Sequence, residues 1–325
     1  MFRRSLLAIA ASAAVAAPAQ AETINFGIIS TESTSNLKKV WMPFINDMSK
    51  KTGLEIKPFF ATDYAGVIEG MRFNKVHLAW FGNKSAMEAV DRSNGEVFAQ
   101  TVDASGNPGY WGHILVHKDS PFQSLDDILK CDSKLNFGIG DPNSTSGFLV
   151  PTTFIFSARN IDPKKCFRTV RNANHEANAL AVANKLVDAA ANNSESLKRI
   201  KVNAPEKHAN IRVIWTSPLI PSDPLVWRKD LNEETKKKIS DFIFSYGTND
   251  AAEKEVLAAL EWAPFRKSGD YQLLPIRQME VNKEIAKVKG DDKMSDADKA
   301  AKLTELQNKF DDLGKQIAER KKQKS

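Results

Sequence analysis

The chain has 325 residues, with 46 Lys and Arg against 40 Asp and Glu, and a formal charge of +6. Setting aside Arg3 and Arg4 with a predicted leader lowers this to +4, too mild for a nucleic-acid surface, and the length suits two domains of ordinary size. Met1 to Ala21 reads as a secretory signal peptide: Arg3 and Arg4 form its charged start, Leu6 to Ala17 its apolar stretch, and Ala19-Gln20-Ala21 a small-residue cleavage site. No later run reaches the roughly 18 uninterrupted apolar residues of a bilayer span. The expectation is an exported, soluble protein cleaved after Ala21.

From Ile24 onward strand and helix alternate. Ile24 to Ile29 reads as a strand. Leu37, Val40, Trp41, Phe44, Ile45 and Met48 then recur three and four apart and build one apolar helix face. Leu54 to Ala61 is the next strand, Ala65 to Asn74 a helix, Val76 to Phe81 a strand, Lys84 to Arg92 a helix and Val97 to Val102 a strand. This order argues for a largely parallel sheet covered by helices.

A second α/β unit follows Tyr110-Trp111. His113 to Val116 reads as a crossing strand, and Ser124 to Leu129 starts a helix. Leu135 to Ile139 and Phe167 to Arg171 are strands flanking a helix over Phe148 to Arg159, with a further helix around Ala177 to Asn184. Leu186 to Ala190 and Ile211 to Trp215 are strands, Pro218 to Pro224 marks a boundary, and Leu225 to Trp227 crosses back. Two such lobes joined by two crossing strands hold a ligand in the cleft between them, beyond the carboxyl ends of the strands. Cys131 and Cys166 each precede one of the predicted parallel strands, so they are either a disulfide at one sheet edge or two separate thiols.

The C-terminal part differs. Ile276 to Val288 and Asp296 to Lys321 are charged helices broken at Gly290-Asp291-Asp292. Leu303, Leu306, Phe310, Leu313 and Ile317 make a short heptad seam, which either pairs with a second chain or folds back on its own domain.

Polar groups gather where strands end. Ser30-Thr31, Thr62-Asp63-Tyr64 and Gly82-Asn83-Lys84-Ser85 follow the first three strands. Gly140 to Gly147 holds the triplet Ser144-Thr145-Ser146 at a strand-to-helix corner. Such corners are either helix caps or anion seats, because the first helical turn leaves N–H groups unpaired and hydroxyls add donors. His175 and Glu176 follow a later strand, Asn192-Asn193-Ser194-Glu195 follows the strand Leu186 to Ala190, and Asp223 lies in Pro221-Ser222-Asp223-Pro224. If both carboxylates face the cleft, they call for a ligand with a positive end as well as an anionic one. No Gly-x-Ser-x-Gly elbow, His-Glu-x-x-His or Gly-x-Gly-x-x-Gly is present, so catalysis finds no support, and no cofactor or metal set is expected.

Several runs resemble one family. Asn25 to Ser33, Asp63-Tyr64-Ala65-Gly66, Gly70 to Val76, Gly109-Tyr110-Trp111, Gly140 to Gly147, Asn178 to Lys185 and Trp262 to Arg266 are similar to the periplasmic phosphonate-binding proteins of bacterial phosphonate ABC transporters. The likeness runs from Ile24 to about Gln278. It implies an α/β protein of the type II periplasmic binding fold, with two α/β lobes, a two-strand hinge and a C-terminal helical extension. The expected division is lobe 1 over 22–112 and 222–280, lobe 2 over 113–221, and a charged tail over 281–325.

By that resemblance Ser144, Thr145 and Ser146, with His175 and Tyr64, hold the phosphonate oxygens. Glu195 and Asp223 hold a ligand ammonium, and Tyr110 lines the cleft. Ser30 and Thr31 are weaker candidates. Phe81 stands where the family commonly has Tyr, which removes one hydroxyl. The implied ligand is 2-aminoethylphosphonate or a related phosphonate, and the implied partner is an inner-membrane ABC permease. Phosphite, phosphate or another small oxyanion, and a sensory role for the closed form, are the alternatives.

Overall fold

The alternation read from the sequence builds two sheets. The computed structural model describes residues 21–322; the predicted signal peptide, apart from Ala21, lies outside them. The first sheet begins with β1 (Thr23–Ile28), α1 (Thr34–Thr52), β2 (Glu55–Phe60), α2 (Tyr64–Arg72), β3 (Leu78–Trp80), α3 (Asn83–Arg92) and β4 (Gly95–Asp103). The chain then crosses to a second unit. This holds β5 (Gly109–His117), α4 (Leu125–Ile128), β6 (Asn136–Ile139), α5 (Pro163–Cys166), β7 (Thr169–Asn172), α6 (His175–Ala183), β8 (Ala189–Asn193), α7 (Ser194–Asn203), α8 (Pro205–His208) and β9 (Ile211–Pro221). It returns through β10 (Pro224–Arg228), α9 (Glu233–Ser245), α10 (Ala251–Ala259) and β11 (Trp262–Lys267), and ends with α11 (Leu274–Lys289) and α12 (Asp296–Lys322).

The strand orders are β11-β4-β10-β3-β1-β2 and β7-β6-β8-β5-β9. Neither sheet is largely parallel. β2, β1 and β3 run parallel, as do β7, β6 and β8, but β10 inserts antiparallel between β3 and β4, and β5 lies antiparallel to both β8 and β9. The reason lies in the two chain crossings, which leave one lobe and re-enter the other in the opposite direction.

Local chemistry sets the elements. Ser33 caps α1 by accepting from the Asn36 N–H at 3.4 Å, and Gly53 ends it with a left-handed φ of 70°. Its face Leu37, Trp41, Phe44, Ile45 and Met48 is buried, as the spacing predicts. Trp41 sits 5.4 Å from Phe26, 5.4 Å from Trp80 and 5.3 Å from Trp262, ring centre to ring centre, and so ties α1 to three strands. Burial of each such ring contributes on the order of 2–3 kcal/mol.

Two expectations shift, and two alternatives left open by the sequence are resolved. The strand predicted over Leu186 to Ala190 starts three residues later, because Lys185 takes a positive φ of 59° and leaves Leu186 at 71 % exposure. The helix predicted over Phe148 to Arg159 begins earlier and is wide-turned, with π-type turns at Thr145–Leu149 and Thr152–Phe156. The seam Leu303, Leu306, Phe310 and Leu313 packs against Val281, Ile285 and Val288 of α11. The tail thus folds back on its own chain, and the alternative of a homodimer through α12 is not supported. Cys131 and Cys166 form a disulfide that joins the turn before β6 to the end of α5.

Candidate functional site

Gly140 and Gly147 close the hydroxyl loop on itself. The Gly140 N–H donates to the Gly147 carbonyl at 2.7 Å, and a Cβ built on Gly140 would lie 2.6 Å from the Gly147 Cα. Only glycine permits this approach. The constriction brings Ser144, Thr145 and Ser146 to the mouth of the helical segment.

Each hydroxyl of the triplet has a distinct bond. Ser144 Oγ accepts from the Gly147 N–H at 3.0 Å, so Ser144 is a helix cap; it also stands 3.3 Å from His175 Nε2. Cap and anion seat are therefore not exclusive readings of this corner. Thr145 Oγ1 accepts from the Lys84 N–H at 2.8 Å, a bond between the two lobes. Ser146 Oγ accepts from Asn193 Nδ2 at 3.0 Å and lies 3.4 Å from His175 Nε2. Burial lowers the His175 pKa to about 3, so the imidazole is neutral. Its Nδ1 has no partner among the described residues. The Tyr64 hydroxyl lies beside Ser144, and burial, then Asp141 and Asp223, raise its pKa.

A second cluster adjoins these donors. Tyr110 begins β5 just after the first crossing, and Asp223 lies between β9 and β10 in the second. The Tyr110 hydroxyl and the Trp80 indole face the Asp223 carboxyl. Even so, Asp223 Oδ1 and Trp80 Nε1 each lack a bonded partner among the described residues. Burial, and then the neighbouring Glu195 charge, push the Asp223 carboxyl well above the usual carboxylate range. Burial raises Glu195 too, with Arg199 pulling the other way. Two buried carboxylates thus stand in one enclosure, Glu195 raising Asp223, with the Arg199 guanidinium beside them.

Tyr64, Tyr110, Ser144, Thr145, Ser146, His175, Glu195 and Asp223 line one cavity, together with Thr31. None of the first eight is more than 6 % exposed, so the site is enclosed. Two of the weaker candidates lie elsewhere. Ser30 faces a neighbouring cavity with Asp63 and Asp141. Phe81 is fully buried in the core of the first lobe, where its ring takes no part in the lining.

Three polar or aromatic side chains of the lining were given no role in the sequence reading. Asn193 bridges Ser146 and His175, at 3.0 and 3.2 Å, and its Oδ1 caps α7 by accepting from the Ser196 N–H at 2.7 Å. Trp80 ends β3 beside Asp223. Arg199, one turn after Glu195 on α7, pairs with Glu32 across the lobe boundary. Its i, i+4 spacing from Glu195 was the one local signal available.

The interlobe bonds show that the lobes are closed on this site. Beyond Thr145 with Lys84, Asp141 Oδ2 accepts from the Tyr64 N–H at 3.1 Å, and Lys198 Nζ meets Asp103 at 2.7 Å. Glu176 accepts from the Ser33 N–H at 2.6 Å and from Asn36 Nδ2 at 2.5 Å.

Known proteins match this architecture. Residues 26–273 fit the family model for ABC transporter, phosphonate, periplasmic substrate-binding proteins. A phosphonates-binding periplasmic protein of Escherichia coli K12 is 58 % identical over 294 residues, spanning 90 % of this chain and 86 % of that one. The crystal structure of a binding-protein component of an ABC phosphonate transporter from Pseudomonas aeruginosa superposes with a TM-score of 0.90. It is 54 % identical and covers 93 % of this chain and 100 % of that one. A Prochlorococcus marinus protein in complex with methylphosphonate shares the fold, with a TM-score of 0.72 at 23 % identity over 81 % of this chain and 99 % of that one. With more than half its length inside the family model and a majority of residues shared with a full-length relative, the chain belongs to the periplasmic substrate-binding proteins of phosphonate ABC transporters.

Proposed function

We propose that the chain captures 2-aminoethylphosphonate in the periplasm and presents it, lobes closed, to an inner-membrane permease. The observation that carries this reading is the pair of enclosed carboxylates, Glu195 and Asp223, beside the hydroxyl corner. An enclosed negative pair is unfavourable unless a cation joins it. A zwitterion with a phosphonate at one end and an ammonium at the other satisfies both halves of the site.

In this reading Ser144, Thr145 and Ser146 donate hydroxyl hydrogens to the phosphonate oxygens, assisted by Tyr64 and by neutral His175. Glu195 and Asp223 take the ammonium, and Tyr110 packs against the linking carbons while orienting Asp223. Lobe 1 (22–112 and 222–280) and lobe 2 (113–221) close about the crossings next to Tyr110 and Asp223. The tail (281–325) stays outside the ligand site. Export uses the signal peptide, removed after Ala21.

Titration calorimetry with 2-aminoethylphosphonate, methylphosphonate, phosphate and phosphite tests the reading. The amine-bearing ligand is expected to bind most tightly. Equal or tighter binding of phosphate or phosphite would replace it with a simple oxyanion carrier.

A further inference from the structure

Glu32 and Arg199 close the cavity on its carboxylate side. Glu32 follows β1 in the first lobe and is 5 % exposed; Arg199 stands on α7 in the second, its side chain 12 % exposed. Their ion pair exists only when the two lobes meet. Arg199 lines the enclosed site and also an outer cavity of about 180 Å³ that it shares with Glu32, Asn36, Lys39, Glu176 and Leu180. The guanidinium is thus a partition between the two spaces. Glu176 braces the same seam through the Ser33 N–H and Asn36.

A cation beside an ammonium site needs an explanation. Arg199 lies one turn from Glu195 on the same helix face, and both Glu32 and Glu195 act on its charge. After Glu32, the carboxylate that acts most strongly on the guanidinium is Glu195, which the ligand needs. We propose that the Glu32–Arg199 pair is a specificity wall: it holds the guanidinium away from Glu195, keeping that carboxylate for the ligand, and it sets the longest aminoalkyl chain the closed site accepts. This rests on the aminophosphonate reading above. Chain length follows from position, since methylenes added between phosphorus and nitrogen drive the ammonium past Glu195 into the guanidinium.

The test is calorimetry on the full mature chain with methylphosphonate, 2-aminoethylphosphonate and 3-aminopropylphosphonate, for wild type, Glu32→Gln and Arg199→Ala. Glu32→Gln is near-isosteric and should fold; thermal melts check both variants. Glu32→Gln is expected to weaken 2-aminoethylphosphonate at least about tenfold more than methylphosphonate, because the freed guanidinium competes for Glu195. Arg199→Ala is expected to shrink the preference for the two-carbon over the three-carbon chain by about tenfold, because the outer cavity opens to the site. If both variants weaken all three ligands by one common factor, or leave them unchanged, the pair is only a lobe contact and the wall is overturned. A wild type that does not prefer 2-aminoethylphosphonate to methylphosphonate instead sinks the ligand assignment itself.

Discussion

The Tyr110 hydroxyl meets the Asp223 carboxyl at the point where the chain passes between the lobes. Tyr110 lies at the start of β5 and Asp223 precedes β10, and the Thr101 N–H donates to the Asp223 carbonyl at 2.8 Å, so the second crossing is tied to β4, the strand that leads into the first. If Tyr110 and Asp223 hold the ligand as proposed, the hinge carries binding groups itself, and ligand capture is coupled directly to closure.

Asp223→Asn should move stability and binding in opposite directions. The folded-state pKa of Asp223 lies well above its unfolded value, so its contribution is full below the unfolded pKa and is lost as pH rises toward the folded one. At neutral pH the neutral amide removes that loss, and the ligand-free protein should melt higher, by ~2–4 °C per kcal/mol regained. Affinity for 2-aminoethylphosphonate should fall by roughly 30-fold or more, the scale of losing one partner of a buried charge pair. Methylphosphonate should be far less affected. Calorimetry and melting curves on the one variant check both signs, and equal losses for the two ligands would contradict the ammonium assignment.

Binding should release protons. An ammonium beside Glu195 and Asp223 favours their ionised forms and reverses the upward push of burial. The calorimetric enthalpy for 2-aminoethylphosphonate near neutral pH should therefore depend on the ionisation enthalpy of the buffer. Asp223→Asn should reduce the number of protons released. A release identical in wild type and variant would place the titrating groups elsewhere.

His175 sets an acid limit of its own. With a folded pKa of about 3 against an ordinary 6.5, the unfolded chain binds the extra proton between those values. Its contribution is therefore complete above about pH 6.5 and declines as pH falls toward 3, with a slope of at most ~1.4 kcal/mol per pH unit. Denaturant unfolding of wild type and His175→Gln across that range should show the slope in wild type and its loss in the variant. Parallel curves would mean that His175 titrates normally.

Much of this site was legible in the chain because its parts stand at strand ends. Ser144 to Ser146, Tyr64, His175, Glu195 and Asp223 each follow a strand or a crossing, and the alternation of strand and helix, with the family likeness, sends those ends to one cleft. Glu32 and Arg199 were not legible as a pair: their partnership depends on how closely two lobes approach, which no local spacing records. Asn193 was hidden for another reason. It caps α7, and an Asn at a helix start is fully explained by capping until the geometry reveals its second bond to Ser146. The strand register failed at Lys185, where a single left-handed residue delayed β8 by a turn that apolar patterning cannot see. β11 was missed because Pro264 interrupts the strand signal, although as an edge strand it tolerates a residue that donates no hydrogen bond.

The Cys131–Cys166 bond should contribute to the second lobe without touching the ligand. It spans 35 residues, and closing such a loop in the unfolded chain corresponds to about 2–4 kcal/mol. In the folded protein Ser133 also donates to the Cys166 and Lys165 carbonyls, at 3.2 and 3.0 Å, at the same corner. The double variant Cys131→Ser, Cys166→Ser should melt lower with unchanged 2-aminoethylphosphonate affinity. Intact mass of the exported protein before and after reduction should differ by the two hydrogens of one disulfide; two free thiols would refute the bond.

The C-terminal hairpin should behave as an intrachain clasp. Leu306 and Leu313 are each 6 % exposed against α11, and Gln278 Nε2 donates to the Phe310 carbonyl at 3.2 Å, so the seam that could serve a second chain is already covered. Light scattering at micromolar concentration should give a monomer. Leu313→Ala removes a buried side chain at a cost of ~2–4 kcal/mol. A helix draws most of its stability from such packing, so amide exchange should quicken along α12 first, before the sheets respond. A wild-type dimer that Leu313→Ala dissociates would show instead that the seam serves two chains, since only an interface made by α12 links its packing to assembly.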